Sequence, residues 1–252
     1  KITEHVISTY NKPKDYDFLL ELLKLTTDIK NRKVNIEPSA IKSMLHELKT
    51  RNFYSKVQSY SPYIDYNIFG TITGRLSTRK NSFPILSMNK DYRSVIKPSN
   101  DWFLEFDFNA AEFRCLLALN KQEQPEEDIH AWHQKIMSNL YNEELSREQI
   151  KKRVFGWLYR GENASLGIPQ IEKCYNKTEV VLKHWNGDHV VNPYGRKIKS
   201  DRFHVLNYLI QSTSNDAFLR RAIAVNKLLS NRNSFTMGLI HDSMVIDFDR
   251  ND

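Results

Sequence analysis

Arg147, Lys151, Phe155 and Tyr159 recur at four-residue steps. On an α-helix each step turns by about 400°, so the four side chains lie along one slowly drifting stripe. Two cations a turn apart can grip the charges of a triphosphate, and two rings further along can stack on a base or sugar. A solvated cationic face with two core aromatics explains any one of these positions, so the stripe carries weight only as a set. Asp107 and Asp242 form a second constellation. Two aspartates on strand termini, brought together by a sheet, can hold a pair of Mg²⁺ ions that activate an attacking hydroxyl and stabilise a leaving oxygen in an in-line phosphoryl transfer. Asp is also a favoured turn residue, which by itself accounts for Asp242 in a hairpin, and Asn109-x-x-Glu112 by itself reads as a capping box.

The elements that must place these residues follow from pattern. Trp102–Phe108 is short and aromatic and predicts a buried strand; Asn109 then opens a helix through Ala111, Cys115, Leu116 and Leu119, so Asp107 sits where a strand ends and a helix begins. A basic helix is predicted from Ser146 to about Leu158, with Gly167 and Pro169 marking its far limit and loop-rich chain following to about Arg196. Residues from about Phe203 to Leu229 carry another helical pattern. Met237–Phe248 reads as strand, two-residue turn at His241-Asp242, and strand. At the start, Phe18, Leu19, Leu22 and Leu23 predict one helix, and Ile41, Met44, Leu45 and Leu48 after Pro38 predict a second. Residues 60–80 change character and lead into a strand or turn at Thr73–Thr78.

Composition narrows the class. The chain has 252 residues, 37 Lys and Arg against 30 Asp and Glu for a net charge of +7, 40% hydrophobic residues and two cysteines. This is globular and excludes disorder, collagen and membrane spanning, since no run approaches the roughly 20 apolar residues a bilayer helix needs. Cys115 and Cys174 make neither a disulfide framework nor a zinc site, so a reducing compartment is expected. Charge is segregated. Asp101–His130 holds eight acidic residues against Arg114 and Lys121, whereas Tyr194–Lys227 holds seven basic residues against Asp201 and Asp216. An acidic centre with basic flanks suits metal-assisted work on a polyanion, although a solvated surface of mixed charge accounts for the same numbers.

Taken together, residues 73–78 (TGRLST), 107–114 (DFNAAEFR), 128–130 (DIH), 147–159 (RxxxKxxxFxxxY), 207–216 (NxxxQxxxxD) and 241–242 (HD in an apolar hairpin) resemble, in order, the successive motifs of the DNA polymerase I family, family A. The resemblance implies an α+β, right-hand polymerase with an antiparallel-sheet palm and helical fingers, its thumb partial or absent. It divides the chain into a helical thumb-like or N-terminal segment (1–60), the first part of the palm (61–127), fingers (128–195) and the second part of the palm (196–252). It implies that Asp107 and Asp242, with the backbone carbonyl of Phe108, hold two Mg²⁺ ions. Glu112 then fills the space of a ribose 2′-hydroxyl, and His130, Arg147 and Lys151 grip the triphosphate. Phe155 packs on the incoming sugar and base, and Tyr159 gates the template position. Arg75, Arg202, Asn207, Gln211 and His241 hold primer and template. Primer-template DNA, deoxynucleoside triphosphates and replication accessory proteins are the implied partners, without a membrane, in the cytoplasm of a bacterium or of a virus-infected host cell.

The chain departs from the family pattern at three places. Asn109-Ala110-Ala111 replaces Ser-Gln-Ile, an extra residue separates Tyr159 from Gly161, and Ser243 stands where an acidic residue commonly follows the second metal aspartate. The opening at Lys1 and the short run after Asp242 lead us to expect an excerpt of a longer polymerase or a very compact core, with no proofreading exonuclease in this chain. Two other readings share parts of the pattern. A two-metal nuclease would use both aspartates but leaves the helical stripe without a role, and a nucleic-acid-binding remnant with decayed catalysis is opposed by the retention of both aspartates.

Overall fold

The computed structural model describes residues 12–141 and 145–252, apart from the side chain of Tyr141. The chain divides into two compact units, Lys1–Phe106 with Phe218–Asp252, and Asp107–Ala217. Helices and small antiparallel sheets make an α+β fold.

In the first unit, helix α1 (Tyr16–Lys30) buries Phe18, Leu22, Leu25 and Ile29 at helical spacing, while Leu23 is exposed. The predicted second helix is split. Pro38 opens a 3₁₀ helix ending at Met44, Glu47 is extended, and α2 begins at Leu48 and runs to Val57. Strand β1 (Asn35–Ile36) is followed by β2 (Tyr66–Asn67) and β3 (Ser77–Thr78), which pair as a hairpin around the Thr73-Gly74 turn; β4 (Ile96–Lys97) pairs with β1. Gly74 has φ +80°, where a side chain would be strained.

The principal sheet has the order β5-β9-β8, from strands β5 (Trp102–Asp107), β8 (Phe235–Ile240) and β9 (Ser243–Phe248). The apolar hairpin β8–β9 forms as predicted and is almost wholly buried, and His241-Asp242 makes its turn with His241 at φ +56°. Tyr66 fastens it: its hydroxyl donates to the Leu239 carbonyl at 2.6 Å and accepts from the Leu239 amide at 2.8 Å. A side chain at Gly238 would press on this contact, since a Cβ there would lie 3.3 Å from Ile64 Cδ1 and 3.4 Å from the Tyr66 hydroxyl. Strand β5 corrects the expectation of burial. It is an edge strand, and its face carrying Trp102, Leu104 and Phe106 is exposed at 51%, 36% and 56%. An aromatic run has the same composition whether the sheet face is covered or open, so sequence did not separate the two.

The second unit is helical. It contains α3 (Ala111–Leu119), α4 (Ile129–Tyr141), α5 (Arg147–Leu158), α6 (Pro169–Tyr175), α7 (Lys177–His184), the hairpin β6 (His189–Val191) and β7 (Lys197–Lys199), and most of α8 (Val205–Leu228). Helix α3 starts later than predicted. Ala110, at φ +48°, is its N-cap residue and makes no side-chain cap, so the Asn109-x-x-Glu112 capping box does not form. The stretch expected to be loop holds α6, α7 and the hairpin. Pro169 acts at the first turn of α6, where a missing N–H costs nothing, rather than as a stop signal. Phe113, Leu116, Leu117, Ile129, Ile150, Val154, Trp157, Tyr175 and Leu209 form the core.

Candidate active site

Helix α5 is positioned at both ends of its first turn. Ser146 accepts from the Gln149 amide at 3.3 Å while Gln149 Oε1 accepts from the Ser146 amide at 2.9 Å, a reciprocal capping box. Burial of Ile150, Val154, Trp157 and Leu158 turns that face of the helix inward. Lys151 is exposed at one side of the face, with its Nζ 6.0 Å from the centre of the Phe155 ring. Phe155 and Tyr159 stack at 6.2 Å, and Phe155 packs edge-on against Phe113 at 4.8 Å. His130 on α4 lies 5.7 Å from both Phe113 and Phe155. The Tyr159 hydroxyl donates to the carboxylate of Glu112 on α3. Six of the predicted nucleotide-site side chains thus lie on three neighbouring helices of one unit.

Arg147 is held by a residue without a predicted role. Its Nε and Nη2 donate to the two oxygens of Asp128 at 3.1 and 3.0 Å. Asp128 also accepts from Asn109 Nδ2 at 2.7 Å and from the Ala131 amide at 2.9 Å, so it caps α4 as well. The Arg147 guanidinium holds the Asp128 carboxyl far below the usual range, against a smaller opposing effect of burial, and the Asn109 and Ala131 bonds add to the lowering. Burial pushes His130 down, assisted by the charges of Arg147 and Lys151 and opposed by Asp128. His133, one turn along α4 and fully buried, is pushed down to about 3 by burial, with His130 adding to it. Both imidazoles are therefore neutral at pH 7, which leaves Arg147 and Lys151 as the cations of the cluster.

Phe113, His133 and Tyr175 form the floor under this cluster. Phe113 is fully buried, and His133 Nε2 pairs with the Tyr175 hydroxyl at 2.8 Å. Sequence reading passed over all three. The signals in the sequence are Phe113 inside the DFNAAEFR segment and Asp128 directly before a helix, a standard N-cap position.

The remaining predicted residues are placed as follows. Arg202 Nε donates to Glu162 Oε1 at 2.5 Å, while the other Glu162 oxygen is buried with no hydrogen-bond partner among the described residues. Asn207 and Gln211 are half-buried one turn apart on α8, and the Asn207 side-chain oxygen has no partner among the described residues. In the first unit, Arg75 is half-buried beside the Gly74 turn, with its carbonyl accepting from Thr71 Oγ1 at 2.8 Å, and His241 and Asp242 are exposed in the β8–β9 turn. Asp107 is the exposed last residue of β5, and Phe108 follows it. Ser243 donates to Glu105 Oε1 at 2.9 Å, and Arg93 lies 3.6 Å from the same oxygen.

Among the described residues, no group of three or more His, Cys, Asp or Glu side chains is placed to hold a metal. Both cysteines are free thiols, and among the described residues no helix is long and apolar enough to cross a membrane.

No family model matches the sequence, and no curated protein matches it. A solved structure does resemble the fold: the POL domain of Pol1 from M. smegmatis, in complex with DNA primer-template and dNTP, at 13% sequence identity and a TM-score of 0.61. The match covers 94% of this chain and 59% of that one, so this chain spans less than two thirds of its length. What the likeness establishes is a polymerase-domain-like fold of mixed helices and small antiparallel sheets.

Proposed function

We propose that this chain is the nucleotide-adding core of a template-directed DNA polymerase of family A type. The observation that carries the reading is a run of contacts within one unit: Glu112 to Tyr159, Tyr159 to Phe155, Phe155 and His130 to buried Phe113, with Lys151 beside Phe155. A cation, two stacked rings and a carboxylate at a ring edge offer one feature for each part of a nucleotide: phosphate, base and sugar. The solved neighbour with DNA primer-template and dNTP supports the same reading at the level of fold.

In the proposed reaction the primer 3′-hydroxyl attacks the α-phosphate of a deoxynucleoside triphosphate. A new phosphodiester bond forms as the bond to the β-phosphate bridging oxygen breaks, and pyrophosphate leaves with the electron pair. Asp107, Asp242 and the Phe108 carbonyl would hold Mg²⁺, which lowers the pKa of the attacking hydroxyl and stabilises the leaving oxygen when bound. Lys151 and Arg147 take up charge on the β- and γ-phosphates. Arg147 starts from a bidentate pair with Asp128, so phosphate binding exchanges one anion for another and Asp128 keeps the guanidinium oriented meanwhile. Glu112, braced by Tyr159, closes the space beside the sugar and excludes a 2′-hydroxyl. Phe155 and Tyr159 supply the stacking surface. Arg75, Arg202, Asn207, Gln211 and His241 would contact the primer-template, whose sequence is copied by base pairing and not read by the protein.

Primer extension on a primed template with Mg²⁺ and deoxynucleotides tests this. Stepwise lengthening is the expected result. Shortening of the DNA without added nucleotides identifies a nuclease, and binding of DNA without either product identifies a catalytically inert remnant.

A further inference from the structure

Lys177, the first residue of α7, is only 4% exposed. Its ammonium donates to the main-chain carbonyls of Trp157 at 3.0 Å and Gly161 at 2.7 Å, and lies 4.4 Å from the centre of the Trp157 ring. These carbonyls bracket Tyr159, the C-cap residue of α5. The C-terminal end of a helix carries partial negative charge, which suits a cation beside the Trp157 carbonyl. Burying an ammonium is otherwise unfavourable. Burial draws its pKa down to about 8, partly offset by Glu172. The chain leaves α5 through Gly161 at φ +89°, a conformation that side chains disfavour. Two further contacts strap the exit: Trp157 Nε1 donates to the Ala164 carbonyl at 2.8 Å, and Glu172 Oε1 accepts from the Gly167 amide at 2.8 Å. Lys177 is itself fixed by Asn176, whose side chain caps α7 through the Glu179 amide.

We propose that Lys177 is a positioning residue that seats Tyr159 at the nucleotide site by clamping the carbonyls on either side of it. The ammonium ties the main chain at one fixed point on both sides of Tyr159 and Arg160. With the clamp in place, Tyr159 can hold Glu112 and stack on Phe155 at once. This rests on the proposed polymerase function, because Tyr159 matters only if that surface receives a nucleotide.

The test uses the full chain with Lys177→Met, which keeps the aliphatic stem over Trp157 and removes the donor, and Lys177→Arg, which keeps charge and donors. Lys177→Met is expected to raise KM for the deoxynucleotide about tenfold, because a small misplacement in a binding site can cost that much or more. kcat and primer-template affinity should change by less than about threefold on the same reasoning. Hydrogen exchange should quicken at the amides of residues 158–163 and not elsewhere. Lys177→Arg should recover most of the KM loss. An unchanged KM in the Met variant, an exchange increase spread evenly over the unit, or an Arg variant as impaired as Met would each overturn the clamp. If Lys177→Met does not fold, Lys177→Arg decides alone: parental KM supports the clamp, and a tenfold loss with parental unfolding behaviour overturns it. If the parent does not extend primers, the functional reading fails separately, and the exchange comparison still decides whether Lys177 holds the end of α5.

Discussion

The two aspartates and the helical stripe occupy contrasting surroundings. On α3, α4 and α5 the side chains read as nucleotide contacts are tied to one another and to a buried floor: Tyr159 to Glu112, Phe155 to Phe113, and Arg147 to Asp128. Asp107 and Asp242 instead stand exposed, Asp107 at a strand end and Asp242 in the two-residue turn of a buried hairpin. Stacking surfaces and steric gates must exist before the ligand arrives, since their selectivity depends on a fixed shape. Carboxylates intended for a hydrated divalent ion can remain in water, where they avoid the cost of burying unpaired charge. Packing therefore lies against the rings in one region and against the backbone of the turn in the other.

This contrast can be broken by mutation. The largest effects belong to Asp107→Ala and Asp242→Ala, which should lower single-nucleotide addition by at least about 10²–10³-fold, in the range seen when one transition-state stabilising group is removed. Their urea unfolding midpoints should stay close to the parent's, because exposed side chains contribute little to stability. Phe113→Ala should reverse that pattern and destabilise the protein by about 3–5 kcal/mol. The same truncation at exposed Phe106 should cost well under that, and equal losses at the two positions would remove the distinction between a packed floor and an open strand face.

Glu112→Ala should relax discrimination against ribonucleotides by about 10–100-fold, read as the ratio of kcat/KM for matched sugars. An unchanged ratio would take Glu112 out of the gate.

Acid should weaken the floor. His133 has its pKa lowered to about 3 in the fold, against about 6.5 when unfolded, so the unfolded state binds more protons between those values. Its contribution is complete above about pH 6.5 and is lost as pH falls toward 3, with His130 acting in the same direction. Between pH 7 and 5 the parent's denaturation midpoint should therefore fall more steeply than that of His133→Asn; parallel profiles would contradict the assignment. The smallest effect is expected for Asp128→Asn. Asp128 has its pKa depressed by Arg147, so the pair contributes above the unfolded carboxyl range and fades only as pH drops through the lowered value. Because the Arg147 side chain is 53% exposed, the loss at pH 7 should be about 1 kcal/mol or less, read from the same unfolding midpoints.

Much of this arrangement was legible in the sequence because it is local. The four-residue stripe needs only a helix, and Ser146 with Gln149 marks where that helix begins. The β8–β9 hairpin follows from two apolar runs around His241-Asp242. What stayed hidden depends on contacts between distant segments. Pro169 looks the same whether it ends one helix or opens another, and the exposure of Trp102 and Phe106 depends on what covers β5. The Asp128 partnership with Arg147 spans 19 residues and the Tyr159–Glu112 contact spans 47. Lys177 gave no signal at all, since a lysine at the start of a short helix is ordinarily solvated and only the fold brings the end of α5 over it.

Single-nucleotide addition tests the central claim most directly. Four primed templates that differ only at the first unpaired base would be incubated with Mg²⁺ and each deoxynucleotide in turn, using the parent, Asp107→Ala and Asp242→Ala. The account predicts that each template selects its complementary nucleotide and that both variants lose addition while still binding the primed DNA. Addition that ignores the template base, or that persists unchanged in both variants, would contradict it.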